Sequence, residues 1–352
     1  MDYFEELSSI IKNTLNDKNF YYELKYLDEI EKLAKIVVDN TPKLKIKKYS
    51  NHVSLNESII NVIDFFDSFN KDYSNYFQNI LREKQDNLNI SRYSFNFNKR
   101  KEEHILGNSE SRINGSVYIN YSETLSDTYA LVHEVTHKFS QPKNQNSTIK
   151  SFFGEASSII MEFLMQDYLL NNKDYDLKEI IKEKEIRLFM TELTAENFII
   201  TNELIKLYKE NNTIIKDIFS KYLNGLNKNS NIFKIFMKSG TPCLEDILKS
   251  KTLNITLLER YLLGPVVASN IHEKIKNDPK NINILFDLVD IFSHTDITIL
   301  EDLQKLESLD IEVIKNHEID IDVITKKRLT KSYKKEVYDL LKNKTKGFFH
   351  IR

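Results

Sequence analysis

Turn-forming residues are scarce in this sequence, whose 352 residues include only 7 Gly and 5 Pro, against averages of roughly 7% and 5% of a chain. A β-sandwich or barrel needs many tight turns, and those turns draw on Gly for positive φ and on Pro for a preset φ. All-β architecture, collagen-like repeats and Pro/Gly-rich disorder are therefore excluded, and the chain reads as mainly α. Hydrophobic residues make up 41% of it, enough for a sizeable core, beneath a surface solvated by the 29% that are charged.

Lys and Arg total 50 against 52 Asp and Glu, a net charge of −2, so nothing pulls the balance toward nucleic acid or an anionic membrane. No apolar run approaches the roughly 20 residues of a spanning helix. The start, MDYFEELSSIIKNTLNDKNF, lacks the apolar stretch of a signal peptide. Cys243 is alone, which excludes an intramolecular disulfide and fits a reducing compartment. The expectation is a cytoplasmic protein with neither nucleic-acid nor membrane partners. Oligomeric state leaves no mark in the sequence.

Periodicity divides the chain in two. Residues 1 to about 85 read as three or four amphipathic helices; in one of them Leu24, Leu27, Ile30, Leu33 and Ile36 fall near helical spacing before Pro42 ends it. An N-terminal helical lobe is thus expected over 1–90. The second region, 91–352, opens with short β-like runs over 91–121, where Val117, Ile119 and Tyr121 alternate with polar neighbours or Tyr118. From residue 124 onward it is helical, with spans near 126–141, 150–171, 177–211, 213–226, 254–277, 280–293 and 321–343.

The chemical signal lies in TLSDTYALVHEVTHKFS, residues 124–140. His133 and His137 are four apart, so on a helix both imidazoles leave one face, one turn apart. Neutral imidazole nitrogens are zinc ligands, and Glu134 between them can reach a metal-bound water as general base. Asp127 favours the positive first turn of this helix. The H-E-x-x-H string also arises by chance, so a third ligand on a second helix is the needed corroboration. Glu155, 22 residues after His133, opens such a helix beside the small residues Gly154, Ala156, Ser157 and Ser158. Glu162, two turns on, shares its face and is expected, with Asp127, to support the ligands from behind.

These segments resemble the thimet oligopeptidase and oligoendopeptidase F family of zinc metallopeptidases, of which the chain looks like a compact, divergent member. GSVYINYSETLSDTYALVHEVTHKF resembles the family's edge strand and zinc helix, and FFGEASSIIMEFLMQDYLL its E-x-x-S-T-x-x-E helix. The likeness continues through 189–208 and 260–303, the latter matching a Y-x-x-G-x-x-x-A helix. It implies a mainly α, zincin-like metallopeptidase unit over 91–352 with a small sheet, and a reduced N-terminal helical lobe. It further implies one Zn²⁺ on His133, His137 and Glu155, with Glu134 as catalytic base. Peptide substrate would then pair by strand addition with backbone around Gly115, Val117 and Ile119, and Tyr261 would meet it from the Y-x-x-G block.

Two positions depart from the family pattern. Thr136 stands where the family has Gly before the second His, and the stretch ahead of Tyr261 lacks the family's oxyanion-binding His. His272 and His294 are the candidates to replace that donor. The function expected is a zinc-dependent endopeptidase acting on oligopeptides or flexible polypeptide segments, Glu134 activating a zinc-bound water. The alternative is a catalytically impaired, zinc-containing peptide-binding protein.

Overall fold

The computed structural model describes residues 3–17, 23–41, 52–69, 71–82, 88–92, 110–111, 117–121, 123–139, 152–173, 175 and 177–285. Four helices come first: α1 (Tyr3–Asn16), α2 (Glu23–Asn40), α3 (Leu55–Phe69) and α4 (Lys71–Arg82). Three short strands follow, β1 (Leu88–Arg92), β2 (Glu110–Ser111) and β3 (Val117–Tyr121). Then come α5 (Leu125–Phe139), α6 (Phe152–Asn172), α7 (Leu177–Asn211), α8 (Lys216–Gly225), α9 (Asn231–Ile235), α10 (Thr241–Ser250) and α11 (Ile255–Asn277). A π-helical turn, Phe236–Gly240, joins α9 to α10. The chain is mainly α, as its scarcity of turn residues requires. No helix among the described residues is long and apolar enough to cross a membrane. The helix expected over 321–343 and most of that over 280–293 lie outside the described residues.

Contacts group the elements into two compact units. One comprises α1, α2, α7 from Leu188, α8 to α10, and α11 up to Val266. Leu7 and Ile11 of α1, Leu33 of α2 and Phe198 of α7 are among its fully buried side chains. Phe219 touches both Phe4 and Phe236, with ring centroids 5.6 and 6.1 Å apart. The other unit comprises α3 to α6, the strands, α7 up to Arg187, and α11 from Val267. The helices placed together before residue 90 by the sequence thus divide, α1 and α2 in one unit and α3 and α4 in the other.

In the second unit the sheet order is β1-β3-β2. β1 runs parallel to β3 from Leu88↔Val117 to Arg92↔Tyr121, and β2 pairs antiparallel through Glu110↔Tyr118 and Ser111↔Val117. β3, which resembles an edge strand in the sequence, is the middle strand of the sheet among the described residues. Val117 is hydrogen-bonded into the sheet on both sides, which leaves no room for an added strand there. Beyond Tyr118 the β2 flank of β3 has no strand partner among the described residues. Ile119 is buried, and Gly115 lies outside the described residues.

β3 leads into α5 through Glu123, which takes positive φ (61°) and whose carbonyl accepts the Val53 N–H at 3.0 Å. α5 packs on β3, α3 and α6. Thr128 Oγ1 on α5 donates to Ser58 Oγ on α3 at 3.0 Å, and Ala156, Ser157 and Ser158 on α6 are fully buried. Small residues at a crossing let helix axes approach closely, and this approach sets up the site.

Candidate metal centre

α5 begins with a side-chain bond from Asp127 to the residue before its first turn. The Asp127 carboxylate accepts the Thr124 N–H at 3.0 Å, and the Thr124 carbonyl accepts the Asp127 N–H at 3.1 Å. This reciprocal pairing satisfies donors that an isolated helix start leaves open. Asp127 acts on the site by fixing where α5 starts. His133 and His137 then rise from the α5 face toward α6, their rings 4.7 Å apart and nearly perpendicular.

α6 answers with a stripe at helical spacing, Glu155, Ser158 and Glu162. Glu162 Oε1 lies 2.6 Å from His133 Nδ1, and Ser158 Oγ lies 3.2 Å from His137 Nδ1. With both Nδ1 atoms engaged, both Nε2 atoms turn inward to a separation of 3.0 Å. The Glu155 carboxylate closes the triangle, 3.4 Å from His133 Nε2 and 3.7 Å from His137 Nε2. Its Oε2 is buried with no hydrogen-bond partner. Glu134 is buried one residue after His133, about 100° round the helix from it.

The imidazoles and carboxylates of this cluster favour one another's charged forms. Burial works against a charged imidazole at His133, yet the Glu155 and Glu162 carboxylates overcome it and push that group up to about 10. Burial likewise opposes ionisation of Glu155, but His133, His137 and Arg187 hold it down at about 2. Glu162 is also held below the usual range, against burial, by Arg187 and His133.

The side chains at the centre are of the kinds that ligate a metal ion. His133, His137 and Glu155 each offer one ligand atom, all within 4.8 Å of one another. Ligands at about 2.0–2.1 Å from a tetrahedral ion are themselves about 3.3 Å apart; the two Nε2 atoms are 3.0 Å apart, Glu155 Oε2 is 3.4 Å from that of His133, and Glu155 Oε1 is 3.7 Å from that of His137. Two imidazoles and a carboxylate leave a fourth position open, and the orphaned Oε2 of Glu155 gains a partner. The residues fit the group.

The other residues singled out in the sequence stand elsewhere. His272 is buried on α11, its Nε2 2.7 Å from Asp167 Oδ2 and its ring against Phe163. Asp167 lies twelve residues beyond Glu155 on α6, roughly 18 Å of helix rise. His272 was expected as an oxyanion donor, and its ring is held by Asp167 and Phe163. His294 lies outside the described residues. Tyr261 is exposed on the part of α11 that belongs to the first unit. Thr136, in place of the family's Gly, is buried and satisfies its hydroxyl by donating to the Val132 carbonyl at 2.7 Å.

Two contributors escaped the sequence reading. Ser158 was counted only as a small packing residue, although its spacing of three from Glu155 and four from Glu162 marks it as part of the stripe. Arg187 gave no signal at all. It comes from α7, and its Nε donates to Glu162 Oε2 at 3.1 Å while Nη2 donates to Oε1.

No family profile and no curated protein matches the sequence. Among solved structures, the chain superposes on a Chlamydophila abortus protein provisionally assigned as a peptidase. The TM-score is 0.57 at 15% identity, over 95% of this chain and 60% of that one. It also aligns with PZ peptidase A, solved with an inhibitor, at TM-score 0.49 and 13% identity, over 90% of this chain and 56% of that one. The chain therefore spans about 60% of the length of the structures it resembles. At this level of identity the likeness is one of fold.

Proposed function

We propose that the chain is a zinc-dependent metalloendopeptidase that hydrolyses peptide bonds in oligopeptides or flexible polypeptide segments. The observation that carries this reading is the convergence of His133 Nε2, His137 Nε2 and the Glu155 carboxylate, each imidazole steered by a partner on its other nitrogen. His133, His137 and Glu155 would hold one Zn²⁺, which when bound supplies a Lewis acid able to polarise a carbonyl and acidify water.

The chain's own residues supply the rest. Glu162 accepts the proton on His133 Nδ1 and so fixes the tautomer whose Nε2 lone pair faces inward. Ser158 does the same for His137. Glu134, buried on the turn between the two imidazoles, takes a proton from the attacking water and passes it to the leaving amine. The peptidase fold of the Chlamydophila abortus protein supports the choice of substrate class.

The test is mass spectrometry of a mixed peptide library incubated with the zinc-loaded chain and with Glu134→Gln. The wild type is expected to cut peptides, and Glu134→Gln to keep zinc while losing hydrolysis by about 10²–10⁴-fold. His133→Ala, His137→Ala and Glu155→Ala should each lose zinc. If wild type and Glu134→Gln both bind peptides and neither cuts any, the chain is a zinc-containing peptide-binding protein instead.

A further inference from the structure

We propose that Arg187 is a positioning residue for the metal centre, acting through Glu162; this rests on the metal-binding reading above. Glu162 is buried and its Oε1 serves two donors, His133 Nδ1 at 2.6 Å and Arg187 Nη2. A carboxylate held by one donor can rotate about its last bond and offer either oxygen, or neither, to the imidazole. Arg187 removes that freedom by gripping both oxygens side-on, Nε on Oε2 at 3.1 Å and Nη2 on Oε1. The planar fork fixes the carboxylate plane, the carboxylate fixes the His133 ring, and the ring aims Nε2 at the point shared with His137 and Glu155. The first helical turns of α7 thereby become part of a site otherwise built on α5 and α6.

Charge and geometry make opposite predictions for this residue. A guanidinium near a dication repels it, so a role through charge alone means that removing Arg187 tightens zinc binding. A role in positioning means that removal weakens it, by the 10- to 100-fold typical of groups that orient metal-ligating histidines. Lys in this place would keep the charge but present one donor instead of a fork. A role confined to stability would lower the unfolding midpoint and leave the affinity of the folded chain unchanged.

The experiment is competition for Zn²⁺ between the full chain and a chromogenic chelator, for wild type, Arg187→Met, Arg187→Lys, Glu162→Gln and the double variant Glu162→Gln/Arg187→Met. Arg187→Met and Arg187→Lys are both expected to raise the zinc Kd by about 10- to 100-fold. In the Glu162→Gln background the Met substitution should change Kd by less than about threefold, because its route of action is already cut. Should Arg187→Met fail to fold, Arg187→Lys carries the same test. Zinc binding by either folded variant that equals or exceeds wild type overturns the proposal, as does full additivity with Glu162→Gln. A wild type that binds no zinc overturns the metal centre itself, a result distinct from one in which only Arg187 proves dispensable.

Discussion

Thr136 is the residue at which this chain departs most plainly from the zinc-helix pattern it resembles, and the structure explains how the change is accommodated. A β-branched side chain inside a helix loses rotamer freedom, but its hydroxyl can bond the carbonyl one turn back. Thr136 does so at 2.7 Å and is buried. Restoring the glycine would remove that bond and the buried methyl, and would add backbone freedom worth about 1 kcal/mol in the unfolded chain. Thr136→Gly is expected to destabilise the protein by about 1–3 kcal/mol in urea unfolding while zinc affinity stays within a few-fold. A large loss of zinc affinity would mean that Thr136 holds the metal helix in register. The sequence was most legible at this scale. His133, His137, Glu155 and Glu162 were all identifiable because one-turn spacings along two helices are encoded locally. Arg187 was not, because the contact that gives it meaning joins two helices and leaves no periodic trace.

Elements were legible where periodicity is long and uninterrupted. The expected span 177–211 coincides with α7, and those near 126–141 and 150–171 differ from α5 and α6 by at most two residues at either end. Residues 227–253 were left without a helix, yet they hold α9, the π-helical turn and α10. Gly240 and Pro242 look like breakers, but Gly240 keeps right-handed φ (−62°), and Pro242 follows directly on the π-helical turn. The sheet order was illegible because β2 is two residues long and its pairing joins chain segments that alternation cannot link. The β3–α5 connection yields a prediction at this scale. Glu123 holds positive φ (61°), and its side chain pairs with His52 at 3.4 Å. A left-handed L-residue costs about 1–2 kcal/mol, partly offset by the greater unfolded freedom of Gly. Glu123→Gly should therefore stabilise the chain by about 0.5–1 kcal/mol. A destabilised Glu123→Gly would show that the side chain's contacts outweigh the backbone strain.

At the scale of the whole molecule, each of the two units gathers segments that lie far apart in the sequence. Ser8 Oγ accepts the Ile214 N–H at 2.6 Å across 206 residues, a partnership that no local pattern foretells. The same long reach brings Glu31 of α2, only 2% exposed, to Lys206 and Asn202 of α7, with Lys35 one turn away on its own helix. Burial works against the Glu31 charge, but hydrogen bonds and charge from Lys206 and Lys35 hold its pKa below the ordinary glutamate value. A carboxyl depressed in the folded state binds protons less readily there than in the unfolded chain. Its stabilisation is therefore complete above the unfolded value of about 4.3 and disappears as pH falls through the folded value. Glu31→Gln keeps an acceptor for Asn202 but removes the charge, leaving Lys206 with Asp28 and Glu203. Urea unfolding of the metal-free chains should show Glu31→Gln less stable by about 1–3 kcal/mol at pH 7. That gap should narrow steadily below about pH 4. Titration of the metal-centre residues is common to both chains and cancels in the difference, so a gap that stays constant from pH 7 down to pH 3 would show that Glu31 contributes packing alone.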